Sequence, residues 1–265
     1  MTGSAAVAAA LAFAGLSQAA VFTWNFNAGD PQPPGGAYEI NSIGGTIHSI
    51  TATFNDVTRQ LSFTANFSDR VTRGFFLALN NGPLPRSRPG ELGLFYFDAN
   101  DVFDGDPGQN LFMTAYGYNG ANDGSTWRDG DSVAPGDQAP DVVRSILDTS
   151  WISSLSAADV VLPGGINGRS LSFIVDASPI IAHLPLYPDS GGGSWFGTGF
   201  ADLLGIWFHP FADLFDLTYD LQGRISGFNA GPQGSFDGFN FVVPAPGSAG
   251  ALLAAGVLLA ARRRR

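Results

Sequence analysis

Hydrophobic and polar residues alternate along most of the chain with the period of a strand. In "ITATFNDVTRQLSFTANF", Ile50, Ala52 and Phe54 share one face and Leu61, Phe63, Ala65 and Phe67 another, with a break at Asn55-Asp56. A period of two is the pattern of a half-buried hairpin. "ELGLFYFD" is apolar on both faces and predicts a central strand covered on two sides. Further runs lie in "GFFLALNNG", "LFMTAYGYN", "SLSFIVDAS", "LLGIWFH", "FDLTYDLQGRISGF" and "FDGFNFVV", with Asp220 to Gly223 as a hairpin turn. Asp141 to Leu155 breaks the pattern, because Val142, Val143, Ile146 and Leu147 are spaced for one helical face. About ten strands joined mostly by short turns predict an all-β, antiparallel β-sandwich of jelly-roll or concanavalin-like type.

Composition agrees with this reading. The 265 residues include 35 Gly, 17 Pro and 22 Phe, a turn-rich and aromatic mixture that favours short strands over helices. With no cysteine, neither disulfides nor thiolate metal sites are available. All 13 basic side chains are Arg, and four of these close the chain; the remaining nine face 23 carboxylates, a formal charge of −14 for the body. Such a field repels nucleic acid and anionic lipid, so no nucleic-acid partner is expected.

The two ends carry the most specific signals. "SAAVAAALAFAGL" is a short apolar run followed by Ser17-Gln18-Ala19, small residues where a signal peptidase cuts. Residues 1–19 are therefore expected to be a signal peptide, leaving 20–243 as the β-sandwich domain. At the other end, "VVPAPGSAGALLAAGVLLAARRRR" places 15 uncharged, mostly apolar residues, 247–261, between a Pro-containing junction and Arg262, Arg263, Arg264 and Arg265. Fifteen helical residues rise about 22 Å, short of the ~30 Å hydrocarbon core, so 244–265 is a marginal permanent transmembrane helix. The arginines hold the C-terminus in the cytoplasm and leave the body outside.

Junction, short helix and Arg cluster together resemble the PEP-CTERM sorting signal, with Val243, Pro244, Ala245 and Pro246 in a Val-Pro-Ala-Pro variant of the usual Val-Pro-Glu-Pro. The resemblance implies recognition by an exosortase-type protease, transient or lasting membrane attachment, and delivery to the cell surface or an exopolysaccharide matrix. "GFFLALNNGPLPRSRPGELGLFYFDAND…LFMTAYGYNG" is also similar to a segment of other surface proteins bearing this tail.

Candidate chemistry in the body is sparser. Asp98, Asn100, Asp101, Asp104 and Asp106 fall within nine residues, and short carboxylates on a Gly-rich loop are the ligand type calcium takes. A solvated acidic turn is the competing reading, since the spacing is not that of an EF-hand. A second acidic loop holds Asn122, Asp123, Asp129 and Asp131. Trp127 and Trp195, set among Gly, Ser and Asp, are candidates for stacking on a sugar ring, whereas Trp207 reads as core. His48, His183 and His209 are scattered without metal-ligand spacing, and no catalytic residue is assigned. Arg86 and Arg88 sit in a Pro-rich loop. These observations point to an exported structural or glycan-interacting domain, with a polysaccharide hydrolase or lyase as the alternative.

Overall fold

The computed structural model describes residues 21–27, 41–42, 44–80, 92–103, 110–118, 141–183, 203–212, 214–223, 225–230 and 241–244. They form an all-β body. In chain order the strands are β1 (Val21–Asn27), β2 (Asn41–Ser42), β3 (Gly45–Asn55), β4 (Gln60–Phe67), β5 (Gly74–Asn80), β6 (Leu92–Asp98) and β7 (Phe112–Tyr118). Next come β8 (Asp141–Arg144), β9 (Ile152–Leu162), β10 (Ile166–Asp176), β11 (Leu203–Phe211), β12 (Leu214–Tyr219), β13 (Ile225–Ala230) and β14 (Phe241–Pro244). Two four-residue helices, α1 (Asn100–Phe103) and α2 (Ser178–Ile181), interrupt them.

The expected hairpin forms as β3 and β4, with Phe54 opposite Leu61 and Ile50 opposite Ala65. Its turn is made by the side chain at the predicted break: Asn55 Oδ1 accepts the N–H groups of Val57 and Thr58 at 3.0 and 2.9 Å. Arg59 then takes a left-handed φ of 57° and the chain reverses.

The strands assemble into two antiparallel sheets. One runs β1-β3-β4-β10-β9, with β2 on β3; the other runs β14-β11-β5-β6-β7-β8. Their inward rings touch. Phe63 of β4 lies 5.4 Å from both Phe75 of β5 and Phe208 of β11, and Phe95 of β6 lies 5.5 Å from Phe173 of β10. These rings are fully buried together with Ile50, Leu77, Leu171 and Val175. Truncating one such Phe to Ala removes about 3–5 kcal/mol of stability by transfer loss and cavity formation.

β6 is buried on both faces, as its double apolar pattern predicts. Phe95 and Phe97 point into the shared core, while Leu94 and Tyr96 belong to a second cluster with Phe76, Ala78, Tyr116, Phe211 and Ile225. A separate two-stranded sheet, β12–β13, supplies Ile225 and Tyr219 to that cluster. Its turn closes where expected, Gly223 donating to Asp220 O at 2.9 Å with φ +72°.

The helix expected over Asp141 to Leu155 does not form. Asp141–Arg144 is a strand, and β9 begins at Ile152. Val142 and Val143 are β-branched and favour the extended backbone. Between them and β9, Ser145 Oγ accepts from Leu147 N at 3.3 Å and Asp148 Oδ1 from Ser150 N at 3.1 Å, local bonds that compete with a helix. Strands β1, β2, β8 and β9 are those the period-2 reading omits, so the described body has fourteen strands rather than about ten. No helix among the described residues is long and apolar enough to cross a membrane; the C-terminal helix expected at 247–261 lies outside them.

Candidate functional site

The acidic stretch that suggested calcium begins as part of the fold. Asp98 ends β6 and is only 6% exposed. Its Oδ1 accepts from Asn100 N at 2.9 Å and its Oδ2 from the Tyr219 hydroxyl at 3.5 Å. Asn100 to Phe103 then coil into α1, and the Phe103 ring lies 3.3 Å beneath the Arg169 guanidinium. Asn100 Oδ1 is buried with no hydrogen-bond partner among the described residues. Asp101 is in α1, but its side chain is outside the described set, as are Asp104 and Asp106. Among the described residues no three His, Asp or Glu side chains converge as metal ligands.

Trp127, Trp195, Arg86, Arg88 and the second acidic loop also lie outside the described residues, and so does the side chain of Trp207, which pairs with Ala78 through its backbone. Of the sorting residues, Val243 and Pro244 are the last two of β14, opposite Leu204 and Leu203. Ala245, Pro246 and Arg262 to Arg265 are not described. The histidines stay apart: His48 is on β3, His183 follows α2, and His209 is on β11.

The most distinctive chemistry lies instead on the outer face of the second sheet. Strand register sets His209, Phe76, Tyr96 and Thr114 in one row across β11, β5, β6 and β7. Ala78, Leu94, Tyr116 and Val142 form the next row, and Gly74, Asp98 and Phe112 flank the first on its other side. Phe76 contacts Tyr96 at 4.7 Å, Phe211 at 5.6 Å and His209 at 5.9 Å, while Phe112 meets Tyr219 of β12 at 5.9 Å. Phe211 can lie over β5 because position 74 is glycine; a Cβ there would collide with its ring and with Phe97 O.

The β12–β13 hairpin is fastened to this face by polar bonds. Ile225 N donates to Tyr116 Oη at 3.1 Å, Ile146 N donates to Gly223 O at 3.0 Å, and Tyr219 reaches Asp98. Beneath it, Tyr96 Oη and Thr114 Oγ1 are buried without a hydrogen-bond partner among the described residues. Burial drives the Tyr96 pKa well above the ordinary phenol value, and the nearby charge of Asp98 and the phenols of Tyr219 and Tyr116 push it further up. At neutral pH this face therefore offers hydroxyl donors and rings, and Tyr96 has no capacity to abstract a proton. The periodicity holds a trace of it: Leu94, Tyr96 and Asp98 share one face of β6, the polar two next to each other, opposite Phe95 and Phe97 on the inner face.

A second polar cluster closes one end of the core. Arg169 is buried at 6% exposure; its Nε donates to Asp159 Oδ1 at 3.0 Å and its Nη1 to Thr72 O at 2.8 Å. Thr72 in turn donates to Gly44 O at 2.5 Å. One guanidinium thus links β9, β10, the β4–β5 connection and α1. Burial lowers its pKa, Asp159 raises it, and Arg73 and Arg70 lower it again.

Comparison of the chain with protein-family models, with curated proteins and with solved structures finds no match.

Proposed function

We propose that this chain is an exported cell-surface or extracellular-matrix protein whose body is a non-catalytic β-sandwich, structural or glycan-interacting, carried to its destination by a PEP-CTERM-type tail. The observation that carries the reading is the fit between the processing points predicted from sequence and the strands. β1 starts at Val21, two residues beyond the expected cut after Ala19, and β14 ends at Pro244, inside the Val243-Pro244-Ala245-Pro246 junction. The described strands lie between the expected signal peptide and the expected apolar helix. β1 and β14, each at the edge of its sheet among the described strands, also contact each other, so the first and last described strands meet.

The sandwich reading is supported by the rings of β4, β10 and β6 shared in one core with β5 and β11. Jelly-roll and concanavalin-like arrangements both suit two antiparallel sheets of this size. Glycan contact is assigned to Trp127 and Trp195, whose rings would stack on a pyranose while neighbouring Asp and Asn side chains bind its hydroxyls. Calcium would be held by Asp98, Asn100, Asp101, Asp104 and Asp106, short oxygen ligands within nine residues.

A glycan array probed with surface-extracted protein tests this reading. Binding is expected to fall about tenfold or more in the Trp127→Ala, Trp195→Ala double variant, given the roughly 0.5–1.5 kcal/mol that each of the two aromatic stacking contacts contributes. Binding that the double variant retains in full would remove the glycan assignment, and binding lost on chelation and restored by calcium would add the metal to it.

A further inference from the structure

β9 ends the first sheet, and no described strand pairs with its outer side. In an antiparallel ladder alternate residues turn their N–H and C=O groups outward, so this edge presents a row of donors and acceptors. The edge is long: 11 residues, against 7 for β1 and 4 each for β8 and β14. Sheet edges are commonly blunted by Pro, by Lys or by brevity, and "ISSLSAADVVL" has none of these. Ser153, Ser154, Ser156 and Ala158 are exposed and small, which leaves the backbone approachable. The one charge, Asp159, is engaged by Arg169 Nε at 3.0 Å and Arg70 Nε at 3.5 Å.

The side chains of this edge select a partner. Leu155 and Ala157 lie on the core side of β9, opposite Phe173 and Leu171 of β10, and pack partly buried against the core. Val161 has the same parity but is 70% exposed.

We propose that β9 pairs antiparallel with β9 of a second copy of this chain, about a two-fold axis through Ala158. In that register each Val161 stands opposite Leu155 of the second copy, and each Asp159 stands opposite Ala157. An exposed valine gains an apolar neighbour on both sides of the axis, and no like charges face each other. An axis through Ala157 would oppose Val161 with Ser153, and one through Asp159 would oppose the two carboxylates. A strand-edge contact is small beside the roughly 1,600 Å² of a standard interface, so the pairing is weak and is favoured where copies are concentrated, as on a surface.

Disulfide trapping tests this directly, because the chain has no cysteine and a single introduced thiol reports alone. The full chain is held in mild detergent and oxidised as Ala158→Cys, Ser154→Cys or Leu221→Cys, the last at a 94% exposed turn of the β12–β13 hairpin. Thiols at position 158 face each other across the axis within disulfide reach, whereas those at 154 are about 26 Å apart. Ala158→Cys is expected to form covalent dimer roughly tenfold or more faster than either control. Adding Val161→Lys to it is expected to slow trapping by a similar factor. Trapping of Ala158→Cys no faster than Leu221→Cys would overturn the pairing. Equal trapping at 154 and 158 would overturn it too, since proximity in a micelle would then explain both.

Discussion

At the scale of single residues, Tyr96 and Asp98 carry the tension in this molecule. Two positions apart on one face of β6, they place a phenol and a carboxylate beside the rings and aliphatic chains of the second cluster, which also holds Tyr116 and Tyr219. Asp98 is satisfied by Asn100 N and Tyr219; the Tyr96 hydroxyl has no partner among the described residues, and burial keeps it protonated. A phenol whose folded pKa lies above its unfolded value contributes no loss of stability below the unfolded pKa, near 10. Stability falls as pH rises past that value, because only the unfolded chain readily gives up the proton. Tyr96→Phe is therefore expected to raise stability at neutral pH by about 1 kcal/mol, by removing an unsatisfied hydroxyl. It should also reduce the fall in melting temperature between pH 8 and 11. Melts followed by circular dichroism across that range check both, and a variant less stable than wild type at pH 7 would show that the hydroxyl is satisfied after all. From sequence, Asp98 reads as one of five clustered oxygen groups, either calcium ligands or part of a solvated acidic turn. Nothing in a linear pattern tells that it also meets Tyr219, because Tyr219 is 121 residues away.

At the scale of elements, the local hairpins were legible and the assembly between them was not. β3 and β4 are neighbours in sequence, their turn is written in Asn55 and the residues after it, and the alternation of Ile50, Ala52 and Phe54 sets the buried face. β9 was missed for a physical reason. Its inward positions, Leu155, Ala157 and Asp159, include a small residue and a carboxylate, and the carboxylate makes sense only against Arg169 on β10. The preceding Val-Val and Ile-Leu pairs imitate a helical face, while Ser145 and Asp148 turn the chain instead. Arg169 is the fastening that no single element reveals, since Asp159, Thr72 and Phe103 come from three different segments. Arg169→Met keeps the stem and removes the guanidinium, leaving Asp159 with only the exposed Arg70. It is expected to cost about 2 kcal/mol, below the figure for a fully buried pair because Asp159 is itself 39% exposed on its side chain. Arg169→Lys should recover less than half of that, since an ammonium cannot stack on Phe103 and serve Asp159 and Thr72 O at once. Urea unfolding of the three proteins measures this; equal stability of the Arg and Lys forms would show that charge alone matters.

For the whole molecule, the all-β class was readable from its glycines, prolines, phenylalanines and period-2 runs. The strand order was not. β4 pairs with β10 and β5 with β11, partners separated by more than a hundred residues, and such pairings are chosen by the packing of both sheets rather than by any local signal. What the chain's ends say about destination stands apart from that packing, and the central proposal rests on them: an exported body trimmed at both ends, with β1 starting at Val21 and β14 reaching Val243 and Pro244. Intact-mass and terminal-peptide mass spectrometry of the protein recovered from the cell surface tests this most directly. The account predicts a mature chain that begins at Ala20, ends within Val243 to Pro246 and lacks Arg262 to Arg265; recovery of the Arg-terminated chain as the main species would contradict it.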